Sequence, residues 1–453
     1  MEVKTVTLET NEINYQKFFN GQRRISIPLF QRRYVWTKKN LDQLVEDISA
    51  IEDSQDSARF LGTIVAVSRP GSFSEVEEVE IVDGQQRTIS IYLFICAIAE
   101  IACDNKIYKM ASKLVTRILI FPDKDLDHTT TLYPSLEDRH EFQIIMQILR
   151  ESKGLSSELN PFEIRPPATT GIEPPIKRQE MLAQYYRIRR YVASRIDGLD
   201  PKQTEQLLGN LSNILISSLT FVSLKLRDPS SAPLIFQSLN EKGVKTTIGD
   251  LVRNEIFSKV YEDPSKAQAV YSLEWQPFYL KFEGSFDDYL FPFCLTYDHT
   301  ITKSECFQQL RTIWKGINDP SEIIKDLERY ARTFSALELM KPLGVDKELD
   351  DTLKKFYYSN VPSSTYPFIF QVVDKYISGG CSLSEIIGVL KAVESFLVRR
   401  AVCGIEPTGL HAVFKSLWSD LGHTVSPLET TRKLSTLTTQ EWPTDEEVKK
   451  WSQ

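Results

Sequence analysis

A chain of 453 residues exceeds the usual reach of one hydrophobic core, so two or three domains are expected. With 42% hydrophobic and 25% charged residues it reads as an ordinary globular protein, which excludes disorder as its organising state. Lys and Arg total 54 against 61 Asp and Glu, a net charge of −7, which excludes coating nucleic acid by bulk charge.

A local basic patch is still present at the start of the chain: Arg23, Arg24, Arg32, Arg33, Lys38 and Lys39. It reads either as a phosphate-facing groove or as a solvated face beside a sheet. Within it, residues 27–36 (IPLFQRRYVW) interleave bases and aromatics, a pattern that can stack a nucleobase and hold its phosphate. The alternative is that Phe30, Tyr34 and Trp36 pack on a sheet while the arginines are solvated. The first twenty residues are too polar for a signal peptide.

Residues 41–52 place Leu41, Leu44, Val45, Ile48 and Ile51 at helical spacing, with Thr37 or Asn40 as cap. Residues 60–67 (FLGTIVAV) read as a strand and residues 76–82 as its hairpin or sheet partner. A helix over residues 88–103 follows at once and is apolar nearly all round, so it should be buried. Its apolar run, broken by Glu100, is short of the roughly 20 residues that a membrane span needs. Residues 152–175, rich in Ser, Pro, Gly and Thr, read as a loop or linker. Residues 219–226 (LTFVSLKL) read as one more strand, followed by a helix ending at residues 239–243. Thr247 and Asp250 form a capping pattern that opens the next helix. From about residue 265 the chain is mainly helical, with periodic runs at 322–339, 383–403 and 410–421. The six cysteines (Cys96, Cys103, Cys294, Cys306, Cys381, Cys403) have no C-x-x-C spacing, which fits a reducing compartment and no zinc site. A cytoplasmic protein is the simplest reading.

The strongest chemical signal lies where the second strand meets the buried helix, at Asp83-Gly84-Gln85-Gln86-Arg87. A helix N-terminus presents unpaired N–H groups and about half a positive charge, which favours phosphate. Gly84 permits a tight turn and close backbone approach, and Arg87 adds a planar fork suited to phosphate oxygens. Gln85 and Gln86 can orient a water or a ribose, and Asp83 can hold Mg²⁺ or accept a proton. The bland alternative is a glycine turn with an Asp cap and a surface arginine. No G-x-x-x-x-G-K-[ST] occurs, so a P-loop is excluded, and the five histidines form no metal pair.

Taken together, residues 27–36, Phe60 with Gly62, Asp83 to Arg87, Phe236 to Gly243, and Asp250 to Asn254 resemble the GmrSD-type restriction family. Smaller matches are Leu136-Glu137-Asp138-Arg139 with Phe142, Tyr366-Pro367-Phe368, and Glu394 to Arg400 before Cys403-Gly404. The resemblance implies an α+β chain: a small ParB/sulfiredoxin-like N-terminal domain followed by a mainly helical region. Its expected divisions are 1–105 for the nucleotide-binding core, 106–260 for a helical connection completing that module, and 261–453 for a helical domain. It implies binding and hydrolysis of a nucleoside triphosphate (GTP, ATP, CTP or UTP) with Mg²⁺. Asp83, Gln85, Gln86 and Arg87 would be catalytic, with Asp83 as metal ligand. Gly84, Thr88, Asn240 and Gly243 would contact the nucleotide. Gln31, Arg32, Arg33, Tyr34 and Trp36 would sense DNA or its modification.

The implied partner is modified phage DNA, in an antiphage, modification-dependent restriction system. Full-length relatives carry a C-terminal nuclease domain of the His-Asn-His type. No such segment is expected within these residues, so cleavage would come either from a nuclease domain on a longer form of this chain or from a partner nuclease. A homodimer is one option, and no membrane is implied. The rival reading is a nucleotide-gated scaffold that regulates a separate nuclease without turnover.

Overall fold

The computed structural model describes residues 8–19, 23–29, 31–53, 58–69, 77–121, 129–160, 163–169, 180–226, 247–438 and 440–451. The chain divides into two compact units. One is Met1–Thr246 with Tyr261–Pro264, and the other is Thr247–Val260 with Ser265–Gln453. The first is α+β and the second is helical in its described residues, the class expected from sequence.

The first unit is built on a six-stranded sheet: β1 (Leu8–Asn14), β2 (Arg23–Ser26), β3 (Arg59–Arg69), β4 (Glu77–Asp83), β5 (Leu132–Tyr133) and β6 (Leu219–Leu226). Their spatial order is β1-β6-β3-β4-β2-β5. β3 pairs antiparallel with β4, as a hairpin reading requires, but β6 returns over 150 residues later to lie parallel to β3. β1, β2 and β5 carry too little apolar alternation to announce themselves, and β5 is two residues long.

The helix Gln85–Asp104 leaves the end of β4 and runs through the middle of this unit. Only Arg87 and Asp104 along it escape burial. It starts three residues earlier than its apolar run, because the polar side chains of Gln85 and Gln86 are themselves buried. The helix is long and apolar enough to cross a membrane, yet 94% of its apolar window is enclosed by the fold. It is the core around which Leu44, Ile48, Ile64, Phe142, Tyr185 and Phe221 pack. The expected break at Glu100 is absorbed: Tyr185 Oη donates to Glu100 at 2.6 Å and Arg189 Nε pairs with it at 2.9 Å. A buried carboxylate is tolerable only with such partners.

The second unit is a stack of short helices around an aromatic core that includes Trp275, Phe278, Phe286, Tyr289, Phe334 and Phe370. The periodic run at 322–339 forms two helices, Pro320–Glu328 and Ala331–Glu338, with Tyr330 at the break stacked on Phe370. Thr247 and Asp250 form the expected reciprocal capping box. All six cysteines are free thiols, and all but Cys381 are buried.

Candidate functional site

Two irregularities in the sheet shape the turn at residues 83–87. β4 carries a bulge against β3: Val65 faces Asp83 and Ala66 faces Ile81, so Val82 has no ladder partner on that side. The orphaned Val82 carbonyl accepts a 2.6 Å hydrogen bond from Gln31 Nε2, which is why Gln31 is buried. β3 is irregular between Phe60 and Thr63, where Gly62 has φ +104°. The Arg87 guanidinium lies against that glycine, 3.4 Å from where a Cβ would stand, with Nη1 3.5 Å from the Thr63 carbonyl.

Gly84 then turns the chain with φ +94°, in the left-handed region. A Cβ there would stand 2.8 Å from Ile64 Cγ1, so the position needs glycine for both conformation and space. Gly84 contributes no side-chain cap to the helix it opens. Thr88, fully buried, returns its hydroxyl to the Gly84 carbonyl at 3.1 Å.

Asp83 is partly buried, and burial raises its pKa. The Gly84 amide and the positive charges of Arg87 and Arg32 oppose that rise. Beside them Tyr15 is fully buried, with its hydroxyl near Thr88 and Arg87 but without a hydrogen bond of good geometry.

The two glutamines of the turn do different work. Both polar atoms of the Gln86 amide are engaged: Oε1 accepts from the Val35 amide at 2.8 Å, and Nε2 donates to the Arg33 carbonyl at 3.1 Å. Gln85 Nε2 donates to the Arg32 carbonyl at 3.2 Å, while its Oε1 is buried without a partner. Residues 31–36 therefore lie as a strap across the helix start, clamped by the motif's own side chains.

Tyr34 anchors the strap further: its ring is buried and its hydroxyl is 2.7 Å from Ser90 Oγ. The Tyr34 amide donates to both oxygens of Asp138, each at 3.0 Å. Gln31 and Tyr34 thus face inward. Arg32 and Arg33 are half-buried, Arg33 within the field of Glu141, and Trp36 packs half-buried against the core.

The basic patch is largely paired. Arg23 meets Glu77 at 2.7 Å, Arg24 meets Glu78 at 2.8 Å, and Lys38 meets Asp42 at 2.6 Å. Lys225, Ser68 and Arg23 together hold Glu77 at a pKa of about 2 despite the opposing effect of its burial. Asn240 and Gly243 lie outside the described residues, as do Phe30 and the whole 236–243 segment.

Among the described residues no group of three His, Cys, Asp or Glu side chains could hold a metal by itself. Sequence reasoning did not single out Asp138, Ser135 or Ser90. Their only signal was the short match at residues 136–139, which carries no chemistry until the fold brings Asp138 to Tyr34.

A bulged strand turning through a left-handed glycine into a buried helix, with that helix start strapped by a basic-aromatic segment, defines an α+β domain with an uncapped helix N-terminus at its sheet. Residues 15–257, more than half of the chain, match the GmrSD restriction endonuclease N-terminal domain, and the chain belongs to that family. Membership places it in DNA restriction. No curated protein matches the chain.

Proposed function

We propose that this chain is the nucleoside-triphosphate-binding and hydrolysing sensor of an antiphage, modification-dependent restriction system. The observation that carries the reading is the uncapped start of the Gln85–Asp104 helix, with Arg87 and Asp83 beside it, inside a restriction-family domain. Unpaired amides at a helix start attract phosphate, and Arg87 supplies mobile-phosphate charge compensation in a partly water-excluded place. Gly84 lets backbone and phosphate approach closely, and Thr88 holds the first turn from inside.

Asp83 is the candidate for orienting the attacking water. Its raised pKa makes it a better proton acceptor than an ordinary surface carboxylate. A single carboxylate fits a Mg²⁺ that arrives on the nucleotide's phosphates and keeps several waters, rather than a cage built by protein alone. Such a cation would neutralise phosphate charge when bound. Of the two glutamines, Gln85 keeps a buried, unpartnered acceptor that a water or ribose hydroxyl would satisfy, whereas Gln86 acts as a clamp on the strap. Arg32, Arg33 and Trp36 are the strap residues left to meet modified DNA, with Gln31 and Tyr34 as its anchors.

Turnover of GTP, ATP, CTP and UTP, measured with and without modified DNA, tests the reading. Turnover of at least one nucleotide, reduced in Asp83→Ala, is expected; equal rates remove Asp83 from catalysis. One observation favours the second reading, a nucleotide-gated scaffold or DNA-binding regulator of a separate nuclease. The Gln86 amide, engaged through both its oxygen and its nitrogen, links turn and strap mechanically, without needing chemistry. Tight nucleotide binding with no turnover, even on modified DNA, would select it.

A further inference from the structure

We propose that Asp138 is a positioning residue of the nucleotide site, because its carboxyl group docks the strap that covers the start of the Gln85–Asp104 helix. The proposal rests on the nucleotide reading above and extends it to a residue outside the motif.

The geometry is a relay of named contacts. Asp138 is 1% exposed and receives the Tyr34 amide on both oxygens at 3.0 Å and the Ser135 hydroxyl on Oδ2 at 2.8 Å. One residue along, the Val35 amide is held by Gln86 Oε1, and one residue back, the Arg33 carbonyl is held by Gln86 Nε2. The strap backbone is therefore pinned from two sides, by Asp138 on one element and by the turn's own glutamine on the other. Arg32, whose field reaches Asp83, is carried on that same backbone, and its carbonyl is held by Gln85. Losing the Asp138 contact would leave Gln85 and Gln86 holding a loosened segment. The positions of Arg32, and of Gln85's unpartnered acceptor, would spread with it.

A buried carboxyl in this place also responds to pH. Burial is the largest influence on Asp138 and pushes its pKa up to about 7. The Ser135 hydroxyl and Tyr34 amide pull it down, and the carboxylates Glu137 and Glu141 raise it further. Around the same contact, Glu180 acts on Tyr34, Arg33 acts on Glu141, and the Arg139 guanidinium lies over the Tyr133 ring. When the strap lifts, water reaches Asp138 and its pKa falls towards the ordinary value. Raising pH through neutrality therefore favours the lifted state. An asparagine keeps a carbonyl acceptor for the Tyr34 amide and removes the titration.

The test measures hydrogen exchange of the amides in residues 31–36, together with nucleotide turnover, on the full chain at pH 6 and pH 8. In Asp138→Ala, exchange in the strap should rise, and kcat/KM should fall, by about tenfold or more at both pH values. Ser135→Ala should do the same more weakly, which guards against an unfolded alanine variant. Asp138→Asn should keep both properties at pH 6. At pH 8 it should lack both the wild type's extra strap loosening, beyond the intrinsic pH effect on exchange, and the fall in kcat/KM that accompanies it; a purely structural residue would produce the first difference without the second.

Unchanged strap exchange in Asp138→Ala overturns the proposal, and so does a loosened strap with undiminished turnover. If the wild type turns over no nucleotide, the hydrolysis reading fails by itself. Nucleotide affinity then replaces turnover as the second readout, and unchanged affinity with a loosened strap overturns the positioning role.

Discussion

Two helices of the first unit begin in opposite ways. Helix Pro201–Asn213 starts at Asp200, whose carboxylate accepts the Gln203 amide at 2.8 Å while the Gln203 side chain caps back onto the Asp200 amide. In the second unit, helices Ile248–Ser258 and Leu383–Val402 start with the same reciprocal box, built by Thr247 with Asp250 and by Ser382 with Glu385. Helix Gln85–Asp104 starts at a left-handed glycine with no side-chain cap, although among the described residues of its unit it is buried along nearly its whole length. A boxed start satisfies its own amides and serves stability. A bare start leaves its first amides without a side-chain acceptor, and the depth of apolar packing along the rest of the helix compensates for the missing cap.

The comparison breaks first at Arg87. Arg87→Ala is expected to lower nucleotide turnover by about 10²–10³-fold in steady-state assays, the usual cost of losing one preorganised charge stabiliser. Arg87→Lys should restore little, since a point charge does not reproduce the planar fork. Wild-type rates in Arg87→Ala would reduce the bare start to a structural turn.

Gly84→Ala should come next. A side chain at φ +94°, placed 2.8 Å from Ile64 Cγ1, is expected to cost about 2–3 kcal/mol in denaturant unfolding and to abolish nucleotide binding. A stable alanine variant that binds normally would show that neither the conformation nor the close approach matters.

Asp138 gives an intermediate effect with a definite sign. Its folded pKa, about 7, lies above its unfolded value of roughly 3.9, so its contribution to stability is full below that lower value and is lost as pH rises to neutrality. Asp138→Asn should therefore be more stable than the wild type at pH 8 by about 1–3 kcal/mol, with the difference shrinking towards pH 4. Parallel stability curves for the two proteins across that range would contradict the burial of this carboxyl. The smallest effect is expected at a boxed start: Asp200→Ala should cost about 1 kcal/mol and leave turnover unchanged. A loss of turnover there would erase the distinction between capped and bare starts.

The site was partly legible in the residues themselves. A strand ending in Asp-Gly ahead of an apolar run is a local pattern, and Gly84 does make the turn that this pattern predicts. Gln85 and Gln86 read equally well as catalytic groups, because sequence shows their chemistry and not their neighbours. Only contact with the backbone of Arg32, Arg33 and Val35 distinguishes them. The basic patch was visible as charge, but its partners Glu77 and Glu78 are more than fifty positions away, so its pairing was not. β1 and β2 stayed hidden because short strands with mixed polarity owe their existence to neighbouring strands rather than to their own pattern.

By itself, the sequence determined what depends on near neighbours along the chain: the buried apolar helix, the strands β3 and β4, the Thr247–Asp250 capping box, the mainly helical residues beyond about 265 and the glycine turn. These follow from periodicity, caps and backbone permissiveness, all of which act over a few residues. Only the tertiary structure decided that Gln31 would satisfy the bulged Val82 carbonyl, that Asp138 would seize the Tyr34 amide 104 positions away, and that Arg87 would rest on Gly62. Those contacts exist because burial leaves no water to satisfy a polar group, so each one must find its partner wherever the packed chain brings it.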